Sequence, residues 1–193
     1  MSHKLMQVMY EREVSQPLGG RVEMDDAYLG GKDSGGKVGR GADHKTPFVA
    51  AVETNEDGHP IRMKMMCVKG FRKEEIMRLG AIILTPGSDV VTDGLSCFQC
   101  LADCGCQHTP IKTSGNKEVQ NSTFKWVNTV LGNVKKSITG TYQAVHKHTH
   151  RYLASFSYRF NRRFDLSTML TRLAYVALRT EPMPFRLLKQ GLS

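Results

Sequence analysis

Three oxygen-bearing side chains in separate segments could together hold a metal ion. Asp25 lies in VEMDDAYLGG, Asp93 follows VVT, and Asn128 lies in FKWVNTVLGNVKK. Two carboxylates and an amide oxygen form the kind of oxygen cage that hard cations such as Mg²⁺ or Mn²⁺ prefer, with room left for water and phosphate. Each residue also has an ordinary reading. Asp25 could be a strand acid held by an Arg or Lys, although an unpaired buried carboxylate would cost several kcal/mol. Asp93 precedes Gly94, and Asp-Gly is a common turn. Asn128 and Lys135 fall two turns apart on one face of a helix, which also describes a polar stripe.

The chain around these residues is basic. It has 193 residues, with 27 Lys+Arg against 18 Asp+Glu and a net charge of +9, a balance that favours a polyanionic partner. Lys135 and Lys136 on one predicted helix, and Arg159, Arg162 and Arg163 in RYLASFSYRFNRR, are candidate contacts to backbone phosphates. Tyr152 and Phe156 share the spacing of those arginines and read as core aromatics. Metal together with a basic surface points to phosphoryl chemistry on nucleic acid.

Other clusters are weaker. Cys97, Cys100, Cys104 and Cys106, with His108 beyond, lack the two separated ligand pairs of a zinc site, and most of them fall on one helix. His146, His148 and His150 alternate with Lys and Thr as a helix entry would. The glycines from 30 to 41 do not spell a phosphate-binding loop. No apolar run approaches a membrane span, the N-terminus has no secretory h-region, and five crowded cysteines do not make a disulfide framework. The expectation is a cytoplasmic protein with no membrane partner.

The elements that must position the candidate site follow from hydrophobic period. A short helix covers about 4–14. Strands run over 21–29, 47–54 and 61–68, joined as an antiparallel meander. A helix at 72–79 and a separate apolar run at 81–84 precede a strand at 90–92. A helix over 96–104 and a short strand at 108–112 follow. Three helices are predicted over 123–138, 148–163 and 167–178, the last with an apolar stripe of Met169, Leu170, Leu173 and Val176. Within the first strand, period-2 alternation places Glu23, Asp25 and Ala27 on one face and Met24, Asp26 and Tyr28 on the other. The class is α/β (mixed α+β), a central mixed sheet whose first three strands are antiparallel, with a helical C-terminal part.

Several strings occur in an order that resembles bacterial insertion-sequence transposases of the DDE superfamily, in the branch where Asn replaces the third acid and a Lys follows. They are VEMDDAYLGG, GRGADHKTPFVAAV, VVTDGLSCF, FKWVNTVLGNVK, GTY and YRFNRRFDL. The resemblance implies an RNase H-like fold, with Asp25, Asp93 and Asn128 as the metal-binding catalytic set and Lys135 as the family lysine. Alternation alone does not choose Asp25 over Asp26. The resemblance further implies two Mg²⁺ or Mn²⁺ ions, DNA substrates (terminal inverted repeats and target) and a homo-oligomer that brings two ends together. Two departures are Gln143, where relatives commonly have His, and Ser155, where they commonly have an acid. Relatives also carry a zinc ribbon and a helix-turn-helix ahead of this region. On that basis residues 1–20 are expected to be a linker helix, 21–180 the catalytic domain and 181–193 a tail, in a chain truncated at its N-terminus. A catalytically silent DNA-binding remnant and an RNase H-like nuclease are the competing expectations.

Overall fold

Strand-forming runs pair into one five-stranded sheet in the computed structural model, which describes residues 2–30, 45–112, 116–141 and 148–189. Most of the glycine-rich loop (31–44), Gln143 and His146 lie outside the described residues. β1 (Arg21–Leu29), β2 (Thr46–Thr54) and β3 (Pro60–Cys67) form the antiparallel meander. β4 (Asp89–Thr92) pairs parallel with β1, and β5 (Gln107–Pro110) pairs parallel with β4. The strand order is β3-β2-β1-β4-β5. It is the mixed, RNase H-like sheet that the resemblance implies. Central β2 is buried on both faces, which explains its nearly unbroken apolar run.

Helices cover both faces. On one, α4 (Lys125–Thr141) and α5 (Thr149–Asn161) pack Val127, Val130, Val134 and Leu153 against Ala27, Ala50 and Val91. On the other, α2 (Lys73–Ile83) and a 3₁₀ helix (Ser96–Cys104) pack Ile76, Leu79, Phe98 and Leu101 against Met24, Val49 and Val90. α2 is longer than its charged stretch suggests: the apolar run at 81–84 continues the helix rather than standing alone. Gly80 permits this. A Cβ there would sit 3.0 Å from Leu101 Cδ2 and 3.3 Å from Cys104 Sγ, so only glycine lets the 3₁₀ helix pack this closely without adjustment.

The helix predicted over 123–138 is α4, and a shorter helix that was not read from the sequence stands ahead of it. α3 (Lys117–Thr123) ends at Phe124, whose backbone leaves helical geometry before α4 begins. α3 starts at Asn116, whose Oδ1 accepts from the N–H groups of Glu118 and Val119.

α1 (Ser2–Val14) is built into the same body as the sheet. Met6 joins the core on the α4–α5 face. Gln7 Oε1 accepts from Arg151 Nε at 2.9 Å. At its C-terminal end, Lys64 Nζ from β3 donates to the carbonyls of Glu13 and Val14, where a cation complements the helix dipole. α1 thus contacts both β3 and α5. α6 (Leu166–Arg179) follows a turn and has no buried residue. Of its expected stripe, Met169, Leu173 and Val176 are half-buried while Leu170 is 77% exposed. The segment expected to be a tail forms a short helix, α7 (Phe185–Lys189). Its Leu188 carbonyl accepts from Arg151 Nη1 at 2.7 Å.

Candidate metal centre

The sheet order reverses between β1 and β4, two parallel neighbours from which the chain proceeds in opposite directions. Open sheets of this kind collect ligands at such a point, beyond the carboxyl ends of the strands. Met24 is paired with Thr92, so Asp25 and Asp93 are the next residues along each strand. Carboxylate oxygens of Asp25, Asp26 and Asp93 all lie within 4.8 Å of one another, and all three residues are half-buried. Sequence alternation sets Asp26 on the face opposite Asp25, with Met24, and its carboxylate still lies close to the other two. Its own N–H donates to Asp25 Oδ1 at 2.9 Å.

Asp93 is both a turn residue and a site residue. Its Oδ1 accepts from the N–H of Leu95 at 3.0 Å, and Gly94 has φ 84°, which suits glycine. Behind it, Thr92 Oγ1 and His108 Nε2 are 2.9 Å apart, tying β4 to β5.

Burial and the crowding of three carboxylates set the electrostatics of the site. Burial, then the neighbouring charges of Asp93 and Asp26, push the Asp25 carboxyl up to about 7; Lys135 acts in the opposite direction with a weaker pull. Lys135 is thus within electrostatic reach of the cluster from an exposed position on α4. Asn128 is half-buried on the same helix, one residue beyond Val127, which packs into the core against the sheet. An all-oxygen, carboxylate-rich donor set whose members repel each other without a cation fits a hard divalent ion. Asp25, Asp93 and Asp26 could hold one, with Asn128 supplied from the facing helix.

This arrangement has a pH consequence. The folded state keeps a proton on Asp25 up to about pH 7, whereas the unfolded carboxyl loses it near its ordinary value of 3.8. Without metal, the stability contributed by this group is fully present below about pH 4 and is lost as pH rises through 7, an effect on the order of 4 kcal/mol. The metal-free melting temperature should fall between pH 5 and 8 in the wild-type protein and fall less in Asp25→Asn. Added Mg²⁺ should raise it most at the alkaline end, because the metal displaces that proton. Parallel slopes for the two proteins in a melting series would contradict the shift.

The basic candidates divide. Lys135, Lys136 and Arg159 are exposed. Arg162 is instead paired with Glu13 at 2.6 Å, with side-chain exposures of 11% and 7%, and stacks on Tyr158. Arg163 donates to the carbonyls of Pro60 and Ile61 and stacks on Phe160 and Phe164. These two guanidinium groups bind their own fold, which accounts for their spacing without any phosphate. Tyr152 and Phe156 pack with the core, as read from the sequence. The cysteines do not converge on a cation. Cys100 Sγ donates to the carbonyls of Cys97 and Lys73, Cys104 Sγ donates to Met77 O, and burial raises the thiols of Cys100, Cys104 and Cys106. His150 is a core histidine set edge-on to Tyr10, pushed down to about 4 by burial first and by Arg151 second. His148 Nδ1 lies 3.2 Å from Arg151 Nη1.

The sequence matches the family described as ISXO2-like transposase domain over residues 17–161. The chain belongs to this transposase family. The match begins just ahead of β1 and ends with α5, so Asp25, Asp93, Asn128 and Lys135 all fall inside the transposase domain. No match was found among curated proteins. A solved structure, the pre-cleavage Mos1 transpososome, aligns at 10% identity and a TM-score of 0.33, covering 95% of this chain and 64% of that one. The chain therefore spans less than two thirds of the length of that relative. Among the described residues of this transposase domain, no helix is long and apolar enough to cross a membrane.

Proposed function

We propose that this transposase domain cuts DNA at the ends of an insertion sequence and joins the freed ends to target DNA, using two divalent ions, Mg²⁺ or Mn²⁺. The observation that carries the reading is the meeting of Asp25 and Asp93 at the point where the sheet order reverses. Asp25 and Asp93 hold the ions, and Asn128 completes their ligand set from α4. When bound, the ions supply electrophilic stabilisation of the attacking and leaving oxygens of an in-line phosphoryl transfer. Lys135 sets its ammonium beside the reacting phosphate and offsets the charge that develops there. Lys136 and Arg159 hold the flanking backbone, so binding should weaken steeply with salt. Water attacks first and releases a 3′-hydroxyl on the element, which then attacks the target strand. Two ends must be joined together, so two or more copies act in one complex.

Asn128 tests the third position. Its amide oxygen can ligate a hard cation without adding charge. Asn128→Asp should retain strand transfer, whereas Asn128→Ala should lose about a hundredfold or more, the scale of a misplaced catalytic metal. The check is strand transfer of an element-end oligonucleotide in Mg²⁺. Full activity in Asn128→Ala would remove Asn128 from the site. Salt-sensitive DNA binding with no nicking by the wild-type protein would mark it as a silent DNA-binding remnant.

A further inference from the structure

At the start of the helix that carries Asn128 and Lys135, the adjoining residue has no polar side chain to serve as a cap. The residue before Lys125 is Phe124. The first N–H groups of a helix need acceptors, and a buried one left without costs stability. Here the acceptor comes from a distant strand. Glu23 Oε2 accepts from the N–H of Trp126 at 2.9 Å and from the N–H of Val127 at 3.0 Å. The other oxygen, Oε1, lies 3.4 Å from Arg21 Nη1. Glu23 is 2% exposed. Its carboxylate is therefore desolvated, bonded to two amides and aligned with the positive end of the α4 dipole.

The position of Glu23 matters as much as its bonds. It stands two residues before Asp25 on the same face of β1, and Asn128 is the residue after Val127. One carboxylate thus couples the strand bearing the first aspartate to the helix bearing Asn128, and fixes how far along β1 that helix sits. Apolar packing of Val127, Val130 and Val134 presses α4 onto the sheet, but such contacts tolerate sliding. Two charge-assisted hydrogen bonds to consecutive amides do not. A ligand set is productive only within a fraction of an ångström.

We propose that Glu23 is a positioning residue for the metal centre, a strand-borne helix cap that sets Asn128 and Lys135 in register with Asp25. This rests on the reading of Asp25, Asp93 and Asn128 as metal ligands. Glu23 acts through α4 and does not touch the reacting atoms.

The test uses Glu23→Ala and Glu23→Gln in the full chain, with Leu79→Ala as a control that weakens the core on the opposite sheet face. Three quantities are read: amide hydrogen exchange, Mn²⁺ binding without DNA, and the Mg²⁺ requirement for cleavage. In Glu23→Ala, the amides of Trp126 and Val127 should exchange at least tenfold faster, and half-saturation by Mn²⁺ should need roughly ten- to a hundredfold more metal. Glu23→Gln keeps an acceptor oxygen and should restore both to within about threefold. Leu79→Ala should melt at lower temperature with an unchanged metal requirement. Wild-type metal affinity in Glu23→Ala, or an equal shift in Leu79→Ala, would overturn the proposal. Wild-type protein that binds no Mn²⁺ would overturn the metal-centre reading on which it rests, while unchanged exchange at Trp126 and Val127 would refute the cap itself.

Discussion

Asp25→Asn and Asp93→Asn should each lower DNA strand cleavage by about a thousandfold or more, with DNA binding within a few-fold of wild type. The size follows from chemistry that leans on charge at one place: a ligand shared by the reacting centre is worth several kcal/mol of barrier, and each 1.4 kcal/mol is roughly tenfold in rate. Binding should survive because the exposed Lys135, Lys136 and Arg159 stay in place. Removing a negative charge should, if anything, help a polyanion approach. The same replacements at Asp25 relieve the repulsion among the three acids, so the variants should be no less stable than wild type without metal. Cleavage of an element-end duplex in Mg²⁺, set beside a filter-binding curve, checks both halves. Either variant retaining a tenth of wild-type cleavage would dissolve the metal centre as drawn.

Glu13→Ala should be the most damaging single change away from the site. Glu13 is 5% exposed, its Oε1 pairs with Arg162 at 2.6 Å, and its Oε2 accepts from Asn161 Nδ2. Truncation leaves a mostly buried guanidinium without its counter-charge, and leaves the Asn161 amide only its bond to the Met63 carbonyl. Breaking such a pair costs about 3–5 kcal/mol, or roughly 10 °C in melting temperature for a chain of this length. Replacing both partners, Glu13→Met with Arg162→Met, should recover much of the loss, because no charge is then stranded. Thermal melts of the single and double variants decide the matter. A single variant melting within 2 °C of wild type would show that solvent, not Arg162, satisfies Glu13.

The strand pattern of the sheet was legible because its signal is local. Alternation in VEMDDAYL and the apolar run in FVAAV set strand faces directly, and turn residues at Asn55–Gly58 joined them. The meeting of Asp25 with Asp93 was legible only through the order of the motifs, since the parallel pairing of β1 with β4 joins residues far apart in the chain. Alternation sets Asp26 on the face of Met24, away from Asp25, so its place in the carboxylate cluster was not read from the sequence, where Asp25 and Asp93 alone were the candidate acids. Glu23 was invisible as a cap: caps are sought just ahead of a helix, and this one lies about a hundred residues earlier. Arg162 and Arg163 show the converse. Their spacing suited phosphate contacts, yet nothing in a local window reveals that Glu13, Pro60 and Ile61 wait for them.

β3 is an outermost strand of the sheet, and side chains occupy peptide groups at the start of its free edge. Asn161 turns its amide onto Met63, accepting from the N–H at 2.7 Å and donating to the carbonyl at 2.9 Å, while Arg163 occupies the carbonyls of Pro60 and Ile61. An outermost strand left open is a template on which a foreign strand can add. By filling those positions with side chains, the end of α5 denies the sheet a sixth member on that side. Copies of this chain can then meet at high concentration without zipping together through the backbones of that edge.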